Sequence, residues 1–385
     1  MPRSVALDED DLALVEALQR DPRAPWTTVA DVVGTNAVTA SRRWERLRAT
    51  GAAWVTGTPG PGSYHAQVLA YVEVTCLPSE KTRVAQELAG DAHALSVDIT
   101  AGGRDLLLTV AAVDLPTLGQ YLLERLDRVP GVTGTRARIA TRLYTEGSLW
   151  RLGVLPASGG TGGPLPVTRP AVLDEVDREL MSALGEDGRA SYAALAAVTG
   201  ISQPTARRRV DRLISSGAVL LRTEVAAPLA GLPVMVVISA DAPAGRLDDV
   251  ATRLGRLRQV RLSVTLAGTP SLLMVAWLPS LEEVHRFEQD LVHQIPEVAV
   301  VDRLVVLRAV KRMGHLLDLE GRCTATVRMD VWRDPVPSGE PPAGAPVRVQ
   351  MPVDVIGHTD GELGSTQRQD SPPLSGRHPA GADLS

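Results

Sequence analysis

The sequence predicts an α+β protein made of two tandem copies of one unit, each a winged helix-turn-helix followed by a ferredoxin-like βαββαβ domain. Three observations predict it. First, the chain repeats itself: a shift of 166 residues places "LDEDDLALVEALQ" from Leu7 over "LDEVDRELMSALG" from Leu173 without a gap. The same shift carries Gly102 onto Gly268, Leu115 onto Leu281, Pro130 onto Pro296 and Arg142 onto Arg308, so the repeat runs the length of both units. Second, each copy opens with apolar residues at helical spacing, broken by a glycine-containing turn. Third, each copy continues with β-branched runs alternating with amphipathic segments in the order β-α-β-β-α-β.

The elements follow in order. In the second copy Leu173, Val176, Leu180 and Leu184 form one helical stripe. Ser191 is placed to cap a second helix that Gly200 stops. Ser202 is placed to cap a third, with Pro204 in its first turn, Ala206, Val210 and Leu213 on its buried face and Gly217 closing it. "HAQVLAYVEVTC" and "LPVMVVISAD" begin the βαββαβ parts, whose sheets keep one apolar face and should pair sheet to sheet. The expected domains are 1–56 and 171–224 (helix-turn-helix), 65–145 and 231–312 (ferredoxin-like), a Gly/Pro-rich linker at 157–170 and a disordered tail at 330–385.

Composition sets limits. A chain of 385 residues exceeds one ordinary core. Net charge of −5 means that any nucleic-acid site is a local patch. Basic charge is almost all arginine, Lys81 and Lys311 being the only lysines. Cys76 and Cys323 stand alone, so no zinc site or disulfide framework is expected. No apolar run approaches membrane-spanning length and the N-terminus lacks an apolar leader, which predicts a cytoplasmic protein that does not enter a membrane.

On the third helix Thr205, Arg208, Arg209 and Arg212 project outward, and the first copy repeats them as Thr39, Arg42, Arg43 and Arg46. In a helix-turn-helix this helix enters the major groove of double-stranded DNA. Asn36, Ser41, Ser202 and Arg207 complete the expected contact set, the threonines for base edges and the arginines for guanine or phosphate. A single arginine-rich helix is more often a solvated face. Recurrence at the same place in both copies favours DNA.

These motifs resemble those of the Lrp/AsnC transcription regulators: the opening Leu-Asp-x-x-Asp (Leu7, Asp8, Asp11; Leu173, Asp174, Asp177), the Ser-x-x-Thr-x-x-Arg-Arg-x-x-Arg-Leu helix (Ser202 to Leu213) and Pro-Gly-Val before the last strand of the first copy. The resemblance covers about 7–145 and 173–311. It implies DNA binding, self-association through the ferredoxin-like domains within and between chains, and an amino-acid effector held near Gly102, Arg104, Asp105 and Thr135. Departures are Asn36 for the family serine, Ala137 for a threonine, and, in the second copy, Ser271, Glu297 and Val301 at the positions of Asp105, Gly131 and Thr135. A tight hairpin turn accounts for Gly102 and Gly103 without a ligand.

Sirohaem decarboxylases also resemble this fold and supply the enzymatic alternative. They depend on histidine and arginine, whereas His93, His285 and His293 lie in no His-Arg motif here, and His65 beside Tyr64 also reads as the start of a surface strand. No phosphate loop, nucleophile elbow or carboxylate pair is present, so neither catalytic residues nor a cofactor are expected. A third reading, a scaffold that keeps the fold without binding DNA, is separated by reversing the charge of Arg208 and Arg209.

Overall fold

The computed structural model describes residues 6–60, 63, 67–156 and 172–336. The first copy contains α1 (Glu9–Arg20), α2 (Trp26–Val33), α3 (Ala37–Ala49), β1 (Ala53–Pro59), β2 (Val68–Cys76), α4 (Lys81–Ala89), β3 (Ala94–Thr100), β4 (Leu106–Ala112), α5 (Leu115–Gln120) and β5 (Val132–Thr145). The second contains α6 (Glu175–Glu186), α7 (Tyr192–Thr199), α8 (Gln203–Ser215), β6 (Val219–Val225), β7 (Val234–Asp241), α9 (Leu247–Leu254), β8 (Val260–Leu266), β9 (Leu272–Leu278), α10 (Glu282–Gln294) and β10 (Ala299–Arg312), after which β11 (His315–Leu317) and β12 (Cys323–Thr326) follow. Gly34 and Gly200 end α2 and α7 at φ 73° and 68°, a left-handed conformation that a Cβ penalises. They fix the turn of each helix-turn-helix.

The two copies pair within the chain. β1 and β6 form an antiparallel ribbon in which Thr56 lies opposite Arg222, its own counterpart in the repeat, so a pseudo-twofold axis passes through that pair. Arg23 donates to the Gly188 and Ala190 carbonyls at 2.7 and 2.9 Å, and its counterpart Arg189 donates to the Pro22 and Ala24 carbonyls at 2.6 and 3.1 Å. The same arginines lie over Tyr192 and Trp26, again counterparts. These reciprocal braces join the two helix-turn-helix units back to back.

The ferredoxin-like parts do more than stack. The first half of β5 pairs with β2 of its own copy, and its second half, from Ala140, pairs with β8 of the other. β10 likewise pairs with β7 and then β3. The strands close into a ring, β10-β3-β4-β2-β5-β8-β9-β7, returning to β10. Beyond the expected sheet-to-sheet pairing, the two sheets are joined edge to edge through β5 and β10. Fourteen-residue last strands are long enough to span both sheets, and closure removes the edges that either sheet alone would expose. Helices α4 and α5 cover one apolar core and α9 and α10 another, while a third lies between the copies.

The expected tail also needs correction. Residues 330–336 are ordered: Val331 is buried and Arg178 lies over the Trp332 ring, because this stretch fills a groove beside α6. The linker at 157–170, Tyr64 and His65, and residues 337–385 lie outside the described residues.

Lys311, one of two lysines, is wholly buried with its Nζ donating to the Asp91 carbonyl at 2.8 Å. Burial pulls its pKa down to about 7. An unfolded lysine keeps its proton to far higher pH, so above about pH 7 the unfolded chain binds more protons and stability rises with pH. Lys311→Met should therefore stabilise the protein most at or below pH 7. Its advantage in urea midpoints should shrink toward pH 8.5 by up to about 1.4 kcal/mol per pH unit; a constant difference would contradict this.

Candidate nucleic-acid interface

Each recognition helix is set by a cap and an ion cluster. Asn36 Oδ1 accepts from Thr39 N at 2.9 Å and starts α3. At the start of α8 the expected Ser202 cap is replaced: its hydroxyl donates to Thr205 Oγ1 at 2.9 Å, the threonine hydroxyl three residues on being the acceptor within reach. Ala40, Trp44 and Leu47 bury one face of α3, and Ala206, Val210 and Leu213 bury the same face of α8.

The projecting arginines divide into two kinds. Arg43 bonds Asp8, Asp10 and Asp11 at 2.8 to 3.1 Å, and Arg46 bonds Asp11 at 2.5 Å. In the second copy Arg209 bonds Asp174 and Asp177 at 2.7 to 2.9 Å, and Arg212 bonds Asp177 at 2.6 Å. Those aspartates also cap the first helix, where Asp8 and Asp174 accept from the backbone N of Asp11 and Asp177. The carboxyls of Asp8 and Asp174 are held below the usual range: for Asp174 the hydrogen bond from Arg209 is the largest cause, and for Asp8 burial, the largest single cause, raises the pKa but is outweighed by the Asp11 amide, Arg43 and Arg46 together. The Leu-Asp-x-x-Asp motif and the second arginine of each pair thus form one clamp that fixes the recognition helix to α1 or α6.

Arg42 and Arg208 are exposed and, among the described residues, have no acidic partner. Arg207 is also exposed, with Asp211 3.8 Å away. Thr39, Ser41 and Thr205 are half-buried beside them. Sequence reasoning missed two exposed groups at the helix starts, Val38, 70% exposed, and Gln203. A valine can meet a thymine methyl and a glutamine can pair with adenine. The signal was available: both stand in the first turn of the helix that enters the groove.

The effector residues inferred for the first copy are only partly brought together. Arg104 and Thr135 line an open depression of about 420 Å³ with Glu73 and Arg136. Arg104 pairs with Glu73 at 2.6 Å and with Asp302, and Thr135 donates to Asp127 at 2.9 Å. Asp105 instead accepts from Cys76 N and pairs with Lys81, both at 2.7 Å, and Gly102 makes its turn at φ 103°. Of the histidines, the His93 ring bonds the Ala111 and Arg333 carbonyls at 2.9 Å, while His285 and His293 lie exposed on α10.

The AsnC-type helix-turn-helix domain matches residues 7–48 and 173–214, and the Lrp/AsnC ligand binding domain matches 69–150 and 234–316. The regulator AldR of Mycobacterium tuberculosis is 32% identical over 123 residues, which are 31% of this chain and 69% of AldR. The chain belongs to the Lrp/AsnC family. A further relative, an uncharacterised HTH-type transcriptional regulator of Pyrococcus furiosus, is 28% identical over 37% of this chain and 97% of its own length. This Lrp/AsnC protein is therefore a DNA-binding transcription regulator with two helix-turn-helix domains in one chain. The sirohaem decarboxylase NirDL, solved with an iron-uroporphyrin III analogue, has a TM-score of 0.53 across 84% of this chain and 95% of its own. At 12% identity that likeness extends to the fold alone. Among the described residues no helix is long and apolar enough to cross a membrane.

Proposed function

We propose that one chain reads DNA as a built-in pseudo-dimer, α3 and α8 each entering a major groove. The observation that carries this is the equivalent and outward placement of Arg42 and Arg208, unpaired among the described residues, on two helices whose domains are braced by reciprocal arginines. Arg42, Arg208 and Arg207 make the anionic and guanine contacts, with Thr39, Thr205, Asn36, Ser41 and Ser202 at the base edges or nearby phosphates. Arg43, Arg46, Arg209 and Arg212 hold the helix and present their remaining donors to the backbone. The two surfaces differ, Val38 and Ser41 against Pro204 and Arg207, so they favour different half-sites.

Selection of bound fragments from random duplex DNA tests this reading. The expected motif has two unlike half-sites one helical turn, or a whole number of turns, apart. Recovery of a perfect palindrome with equal contacts in both halves would count against it. The reading extends to a cytoplasmic setting, further association between chains through the ferredoxin-like parts, and an amino-acid effector in the depression bearing Arg104 and Thr135.

A further inference from the structure

A second cavity lies inside the closed ring of strands, on the pseudo-twofold axis. It measures about 100 Å³, and its lining includes residues that are counterparts in the repeat: Leu95 with Arg261, Ser96 with Leu262, Glu146 with Arg312. In a dimer of identical chains such positions would carry identical side chains. Here duplication has let them diverge, and the basic side chains, Arg222, Arg261 and Arg312, all come from the second copy.

These arginines are not equally committed. Arg222 pairs with Glu146 at 3.0 Å and also with Glu224. Arg261 is 4% exposed and gives one nitrogen to Glu224 at 2.6 Å, whereas among the described residues its buried Nη1 has no hydrogen-bond partner. The Arg312 guanidinium lies 3.1 Å from the Met235 sulfur and 3.8 Å from Asp98. At 3.8 Å Asp98 is beyond hydrogen-bond distance of Arg312, and among the described residues its buried Oδ1 has no hydrogen-bond donor, so its hold on Arg312 is electrostatic only. Trp277 lies between the two, 4.0 Å from Arg261 and 4.9 Å from Arg312. The remaining wall is largely aliphatic. A buried guanidinium nitrogen without an acceptor is costly, and a carboxylate matches its geometry.

We propose that this cavity takes one small organic carboxylate per chain, its acid group on Arg261 and Arg312 and its apolar body against Leu69, Leu107 and Val275. A neighbouring cavity of about 120 Å³ shares Met235, Trp277 and Arg312 with it and reaches the exposed Leu307 and Leu319, which gives an entry route. Two chain segments start at the cavity wall, from Glu146 and from Arg312. The first runs to α1, where Val154 and Leu155 donate to Glu16, and the second to α6, where Ser182 donates to the Met329 carbonyl. A ligand here therefore sits at the root of two segments that pack onto the DNA-reading domains.

The test is calorimetric titration of the full chain, without DNA, with 3-methylbutanoate, 4-methylpentanoate and 4-methyl-2-oxopentanoate, against 3-methylbutanamide and inorganic phosphate. The expected result is saturable binding of at least one acid at one site per chain, none of the amide, and at least a tenfold loss in Arg312→Met. Because arginine variants can disturb the buried ion network, Leu107→Phe fills the cavity while keeping both arginines and should also abolish binding. Absence of binding by all three acids, equal binding of phosphate, or unchanged binding by Leu107→Phe would overturn the proposal. It deepens the reading of a ligand-responsive regulator, and its failure is separable: titration without DNA reports nothing on Arg42 or Arg208, and a variant of those two that loses DNA should still bind the acid.

Discussion

Arg42→Glu combined with Arg208→Glu should abolish specific DNA binding while leaving the urea midpoint of the protein unchanged. Both side chains are exposed and, among the described residues, free of acidic partners, so reversal costs the fold little. On the DNA each would place a carboxylate against phosphate or guanine. Contacts of this kind are worth about 1–3 kcal/mol each, so the pair should cost at least about thirtyfold in affinity, with a shallower dependence on salt. The neighbouring variant behaves differently. Arg209→Glu removes the clamp on Asp174 and Asp177 and puts a third acid beside them, so it should lower the stability of the second helix-turn-helix as well as its binding. Fluorescence anisotropy on a selected duplex, with a denaturation curve for each variant, separates the two effects. Equal behaviour of Arg208→Glu and Arg209→Glu in both measurements would refute the division of roles.

Glu224→Ala should be the most destabilising single change in the interior, by about 3–5 kcal/mol. The carboxylate is wholly buried on β6 and pairs with Arg222 and with Arg261. Although burial opposes its charge, the three arginines Arg222, Arg261 and Arg312 hold its pKa down to about 2. Arg222 keeps Glu146 when Glu224 is lost, but Arg261 is left without an acidic partner, and burial already pulls its own pKa down to about 9. Truncation therefore strands a buried cation on the axis that joins the two copies. Urea unfolding with circular dichroism measures the effect, and a loss below about 1 kcal/mol would show that the network does not hold the copies together.

Much of this was legible because the repeat makes each motif its own control. The helices, their glycine ends and the buried faces of α3 and α8 follow from apolar spacing and turn chemistry, which are local properties. The strand order within each copy is local in the same sense. What stayed hidden depends on partners distant in sequence. Arg43 and Arg209 look identical to Arg42 and Arg208 on a helical projection, and only the approach of α1 and α6 turns them inward. Even so, the aspartates and arginines recur together at a fixed separation of 35 residues, Asp8 with Arg43 and Asp174 with Arg209, which is the trace a clamp leaves in a duplicated chain. Ring closure through β5 and β10 could not be read from periodicity, since a long last strand has the same pattern whether it pairs with one sheet or two. The ordering of residues 330–336 was masked by their Pro, Asp and Arg content, although Val331 and Trp332 are the apolar anchors that fix them beside α6.

We propose that the two helices of one chain read two different half-sites. Hydroxyl-radical footprinting on a selected duplex, comparing the wild-type protein with Arg42→Glu alone and Arg208→Glu alone, tests it most directly. An asymmetric footprint is expected, in which each variant loses protection over its own half first, a different half for each. Symmetric loss over both halves with either variant would contradict it.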